Sequence, residues 1–270
     1  MKSILIFLLA FFVSLQLLAE EPQPSGEFQI TEIKIIARDI IESAKWYIKH
    51  MGFKLKKNKS GEYAIIENRQ FRMNIVTAKR TVNFNQLSMP DNRERINGFH
   101  EIGFLCSDID SLMYQYEGRS IKILEQPRLD LKYKVKTVVL ADADGNRIRL
   151  FQANQEQKSS FHYFRPYYLC ITTSDIETGA RWYEKDMGFA QLTNNYSERE
   201  RISFAILTKG TMLLELQELS GRTMEITELL SDQIELTRFD EITFSPPKSE
   251  QAINMTDNDG NKLKFVGKTP

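Results

Sequence analysis

Residues 39–53, DIIESAKWYIKHMGF, set the plan of this chain. The stretch returns at residues 175–189 as DIETGARWYEKDMGF, with Asp-Ile, Trp-Tyr and Met-Gly-Phe all displaced by 136 positions. Self-similarity held in register marks a duplicated structural unit. The stretch reads as a helix. Asp39 caps it and Glu42, three residues on, completes a capping box. Ile40, Ala44, Tyr47, Ile48 and Met51 share one face, and Gly52 ends the helix. Trp46 and Tyr47 read as core, because aromatic residues at helical spacing pack inward.

Ahead of this helix, residues 30–37, ITEIKIIA, read as a strand. After it come a Lys-rich polar hairpin at 54–62 and strands near 63–67 and 71–77, giving the order β-α-β-β-β. Residues 81–97 read as a linker or flap. The order then repeats: a strand at 100–107, a helix at 109–116 capped by Asp108, and strands near 122–124, 134–140 and 147–152. Between the last two lies DADGN, residues 142–146, with Gly145 placed for a positive φ. A calcium loop would need more length and a closing Glu, so this is a turn.

The second copy follows a polar connector. Its DNDGN turn, residues 257–261, stands only 115 positions after the first, so this copy is 21 residues shorter. Pro246-Pro247 falls where its second helix would begin. The expectation is a truncated fourth module, with residues 224–231 as a displaced helix. The chain therefore divides into a signal (1–19), a spacer (20–27), a first domain (28–153), a connector (154–164) and a second, shorter domain (165–268).

A strand ahead of Asp-Ile, a helix carrying aromatic-Tyr then Gly-Phe, and an Asp-x-Asp-Gly-Asn turn before a final strand resemble the vicinal oxygen chelate superfamily. This is the glyoxalase, bleomycin-resistance and extradiol-dioxygenase group. The resemblance spans about residues 28–153 and again 165–267. It implies an α+β fold of tandem βαβββ modules, paired into two cup-shaped mixed sheets. It does not specify one activity.

The resemblance also implies a divalent metal on the cup floor, held by His, Gln or Glu from first and last strands and acting as a Lewis acid. The first ligand position lies seven residues before the capping Asp: Glu32, Glu101 and Tyr168 in the three modules where it can be counted. Last-strand positions fall on Asn74, Arg149, Glu215 and Lys264, with Glu241 as the loosely aligned remaining one. A guanidinium stays protonated and opposes a cation. The expected first cup is Glu32, Asn74, Glu101 and Arg149, read as an Arg–carboxylate cluster. In the second, Glu215 faces Lys264. Glu32 and Glu101 are the metal candidates if Fe, Mn, Zn or Ni binds; no cofactor is the favoured reading.

Lys2 followed by a 15-residue apolar run and Ala19 reads as a secretory signal, so the protein is expected to be periplasmic or secreted. A spanning helix takes about 20 apolar residues, and only an uncleaved signal would leave an anchor. Lys plus Arg equal Asp plus Glu at 36 each, which removes the basic excess a nucleic-acid binder needs. Cys106 and Cys170 sit in apolar strands and read as buried free thiols. Three functions stay open: a binding protein that holds a small molecule or partner in a cup, a metal-dependent lyase or dioxygenase, and a surface-interaction protein with both cups filled by its own side chains. The first is favoured, as a monomer whose pseudo-twofold is internal.

Overall fold

The computed structural model describes residues 28–69, 71–77, 81–82, 98–153, 164–197, 202–219, 235–236, 238–245 and 253–265. The first module is β1 (Gln29–Ala37), α1 (Ile40–Met51), β2 (Lys54–Lys59), β3 (Tyr63–Asn68) and β4 (Phe71–Thr77). After a short strand, β5 (Thr81–Val82), the second is β6 (Gly98–Cys106), α2 (Ile109–Tyr116), β7 (Lys122–Asp130), β8 (Val135–Ala141) and β9 (Arg147–Gln152). The third is β10 (Arg165–Thr172), α3 (Ile176–Met187), β11 (Ala190–Ser197), β12 (Ile202–Lys209) and β13 (Met212–Leu219). β14 (Glu235–Leu236) pairs with β5. The fourth module is β15 (Arg238–Ser245), β16 (Ile253–Thr256) and β17 (Lys262–Phe265), with no helix among its described residues. Residues 224–231 and Pro246-Pro247 lie outside the described residues. No described helix is long and apolar enough to cross a membrane.

Two mixed sheets result, a 7-stranded one ordered β16-β17-β15-β1-β4-β3-β2 and an 8-stranded one ordered β11-β12-β13-β10-β6-β9-β8-β7. Each module's first strand runs parallel to its last, as β1 does to β4 and β10 to β13. First strands then join antiparallel across modules, β1 to β15 and β6 to β10. This corrects the expectation that each sequence half closes its own cup. Modules two and three, joined by the shorter link, pair as sequence neighbours do. The first and fourth modules are left to complete each other.

Within each sequence half, the two modules are instead fastened by the repeated turn. Asp142 accepts from the Tyr47 hydroxyl (2.7 Å) and from Asn146 Nδ2 (2.8 Å), and Asp144 accepts from the Arg38 amide (2.9 Å) and the Ser43 hydroxyl. The second copy does the same. Asp257 accepts from Tyr183 (2.7 Å) and Asn261 (2.8 Å), and Asp259 from the Ser174 amide and hydroxyl. The turn of one module thus fastens the helix of the module before it. Removing either hydroxyl, by Tyr47→Phe or Tyr183→Phe, is expected to cost about 1–2 kcal/mol in urea denaturation, with the double variant near the sum.

Burial lifts the Asp142 pKa to about 6 against the hydrogen bonds of Asn146 and Tyr47. The folded state therefore holds this proton more tightly than the unfolded chain. Its contribution is full below the ordinary carboxylate value of 3.8 and is lost as pH rises through about 6.

One apolar core cluster runs through both sheets and all three described helices. α1 departs from its sequence reading in two places. Trp46 and Tyr47 are buried as read, but Ile48 is exposed, and the buried face runs instead through Ser43, Trp46 and His50. The Glu42 carboxylate turns to Lys45 (2.8 Å), while Asp39 alone caps the Ile41 and Glu42 amides. His50 is buried between Trp46 and Tyr116, and burial lowers its pKa. Gly52 and Gly188 end α1 and α3 at φ 67°, where other residues are strained.

Candidate functional site

Strand register lays two rungs across the floor of the 8-stranded sheet. One runs Arg147–Glu101–Cys170–Glu215, and the next Arg149–Gly103–Tyr168–Leu213. The intervening residues Ile102, Leu169, Ile148 and Leu214 face the core, so alternation turns Glu101, Arg149, Tyr168 and Glu215 to the opposite, concave face. Gly103 lets the floor fill. A Cβ there would meet Phe151 Cε2 at 2.6 Å and Tyr168 Cβ at 2.7 Å. Gly103→Ala is expected to cost about 1–3 kcal/mol by overpacking, measured by chemical denaturation.

Two carboxylates anchor this cup. Glu101 is only 2% exposed and lies between two guanidiniums. Arg149 Nε donates to its Oε1 (2.5 Å) and Arg147 Nε to its Oε2 (3.0 Å), while Arg149 NH2 reaches Oε2 at 3.4 Å. Glu125 accepts from both arginines (2.6 and 3.4 Å), and Asp130 lies 3.5 Å from Arg149. Burial pushes the Glu101 pKa up, but Arg149 and Arg147 overcome it and bring it down to about 2.

Glu215 is fully buried. Its Oε1 accepts from Lys132 Nζ (2.8 Å) and Gln217 Nε2 (2.7 Å), and its Oε2 from the Tyr133 and Tyr168 hydroxyls. Burial and then Glu215 hold the Tyr133 hydroxyl protonated; burial, Cys170 and Glu215 do the same for Tyr168. Lys132 and Tyr133 come from the tip of the β7–β8 hairpin, which reaches across to Glu215 on β13. The Tyr133 ring meets Phe151 (5.2 Å) and Tyr168 (5.6 Å) nearly edge to face. Sequence reading missed this tip, because nothing in DLKYKV shows which sheet it will cover.

The 7-stranded sheet carries different rungs: Lys262–Glu241–Lys34–Asn74 and Lys264–Thr243–Glu32–Arg72. The alternate residues Ile33, Ile35, Met73, Ile242 and Leu263 enter the core, so these charges line the other face. Asp240, bulged beside them, accepts from Lys34 (2.7 Å), with Lys262 at 3.7 Å, and Arg72 lies 3.3 Å from Glu32. Among the described residues Asn74, Glu241 and Lys264 have no polar partner. The face stays half open to solvent, with the Arg72 side chain 50% and the Lys262 side chain 58% exposed.

The predicted site residues therefore regroup. Glu101 and Arg149 do pair, but their companions are Tyr168 and Glu215 rather than Glu32 and Asn74. Glu215 does not face Lys264, which lies in the other sheet beside Glu32 and Asn74. Strand pairing across the sequence halves is the reason. The two thiols are free and buried. Cys106 joins the main core cluster and Cys170 the concave one, on opposite faces of the sheet. Burial raises the Cys106 thiol to about 12.

In the 8-stranded cup the described donors do not fit a divalent metal. Among the described residues no three His, Cys, Asp or Glu side chains gather in a ligating group. Every oxygen of Glu101 and Glu215 already accepts from a cation, hydroxyl or amide, and a guanidinium occupies the Arg149 position. A metal would have to displace ion pairs that hold both carboxylates in place.

Paired βαβββ modules curled into two concave mixed sheets define a tandem glyoxalase-like protein. Residues 29–150 match the family described as the Glyoxalase/Bleomycin resistance protein/Dioxygenase superfamily. Glyoxalase I from Zea mays is 16% identical, with TM-score 0.61 over 89% of this chain and 92% of that one. A putative dioxygenase from Bacillus subtilis subsp. subtilis str. 168 is 10% identical, with TM-score 0.64 over 91% and 87%. At these identities the likeness is one of fold. No curated protein sequence matches the chain.

Proposed function

We propose that this is an exported, metal-independent binding protein that holds a small molecule on the concave face of the 7-stranded sheet. The observation that carries this is the contrast between the faces. In the 8-stranded cup the polar groups are saturated and buried. In the 7-stranded one Asn74, Glu241 and Lys264 are without polar partners among the described residues, on a half-exposed floor of alternating sign. A concave surface with a few converging polar groups is the usual form of a small-molecule site. Alternating charge suits a zwitterion, whose carboxylate meets Lys264 or Arg72 and whose ammonium meets Glu241 or Glu32.

The signal at residues 1–19 supports export to the periplasm or beyond. Both seams between modules lie within one chain, which supports a monomer. The balance of charge supports no role with nucleic acid.

Thermal unfolding of the purified chain against free amino acids and other small zwitterions tests this reading. A raised midpoint is expected in the wild type, with the effect lost in Lys264→Ala and Asn74→Ala. Stabilisation by divalent metal ions alone would overturn it in favour of a metal-dependent lyase or dioxygenase.

A further inference from the structure

The hairpin tip over the 8-stranded cup brings a primary ammonium and a phenol to one buried carboxylate. Lys132 Nζ lies 2.8 Å from Glu215 Oε1 and 4.5 Å above the centre of the Phe204 ring, a cation held by a carboxylate and a π face together. The Tyr133 hydroxyl donates to Glu215 Oε2 and lies 3.2 Å from the Tyr168 hydroxyl. Ile202, Phe204 and Ile206 form an apolar wall against which Tyr133 and Leu213 pack. These groups make a recess complementary to an ammonium and a hydroxylated ring at once.

Lys132 and Tyr133 are the tip residues whose side chains reach the Glu215 carboxylate. Leu129 and Leu131, which flank the tip, are 62% and 81% exposed. Lys134, which leaves it, sits at φ 57°, the left-handed conformation that closes a short hairpin loop. Withdrawing the Lys132 and Tyr133 side chains would uncover Glu215 and the apolar wall.

We propose that the Glu215 recess is a binding site for a free phenolic primary amine, and that Lys132 and Tyr133 are its tethered occupants. A soluble amine of this class takes over both contacts, to Glu215 and to the aromatic wall, and the tip swings out. This site lies in the other sheet from the face assigned above to a zwitterion, so the two readings stand or fall separately.

The probe is tyramine, with 4-hydroxyphenylacetate as the analogue that carries the same ring but the opposite charge. The full-length Lys132→Ala/Tyr133→Ala protein empties the recess. Tyramine is expected to bind it at least about tenfold more tightly than the wild type, because no tethered competitor remains. It also raises the thermal midpoint, and 4-hydroxyphenylacetate does neither. Adding Glu215→Gln abolishes the gain, whereas Lys264→Ala leaves it intact. Equal binding to wild type and vacated variant, or equal binding of the two probes, overturns the proposal. If the double variant does not fold, hydrogen exchange of the wild type decides. Faster exchange at amides 131–134 with tyramine, but not with the acid, supports the proposal, and unchanged exchange overturns it.

Discussion

Arg149→Met is expected to destabilise the fold by about 3–5 kcal/mol, the usual cost of leaving one member of a buried ion pair behind. Glu101 keeps only Arg147, which it shares with Glu125. Urea denaturation at neutral pH measures the loss. Changing Glu101→Leu together with Arg149→Met should recover most of it, because the pair then disappears as a unit and Arg147 retains Glu125. The pH dependence supplies a second readout. Glu101 is held at about 2 against an ordinary 4.5, so its stabilising contribution is full above 4.5 and is lost as pH falls through about 2. Without Arg149 that acid limb should move to higher pH. A loss below 1 kcal/mol would mean that the arginine is solvated and the floor is not closed.

Glu215→Ala is expected to cost a similar amount, about 3–5 kcal/mol, but to act through the hairpin. Lys132, Tyr133, Tyr168 and Gln217 all donate to this one carboxylate. Its removal leaves a cation and hydroxyls aimed at nothing. The tip should then detach before the sheet unfolds, since Leu129 and Leu131 on either side of it are exposed. Limited trypsin digestion reads this directly, with cleavage after Lys132 or Lys134 appearing in the variant under conditions where the wild type is spared. In Arg149→Met the same tip should stay protected, because Glu215 and its donors are untouched. Protection of the tip in Glu215→Ala would show that apolar packing of Tyr133 is enough to hold it.

Much of the fold was legible in the sequence because its marks are local. Asp39, Gly52 and their repeats at Asp175 and Gly188 bound helices by capping chemistry that acts within a few residues. The Asp-x-Asp-Gly-Asn turns were readable for the same reason. Their further role, each gripping the tyrosine of the preceding module's helix, was not, because Tyr47 and Asp142 are 95 residues apart. The pairing of modules was hidden for a related cause. Both halves carry the same first-strand pattern, and hydrophobic alternation gives a strand's buried face without choosing its neighbour. The residues named from sequence do lie on the non-core faces of the two sheets, but in another grouping. The replacement of an expected acid by Arg149 was visible in one position, and its partner Glu101 followed from chemistry. Lys132 and Tyr133 carried no signal, since a tip's destination is set by how the hairpin curls over the sheet.

The central claim is that basic and hydroxyl donors of the chain itself hold the carboxylates on which this fold could seat a divalent ion. Elemental analysis of the natively purified, dialysed protein, followed by titration with Zn, Mn, Ni and Fe(II), tests it most directly. The expected result is less than stoichiometric metal and no saturable binding in the wild type. One equivalent of tightly held metal, lost on changing Glu101→Gln or Glu215→Gln, would contradict the account.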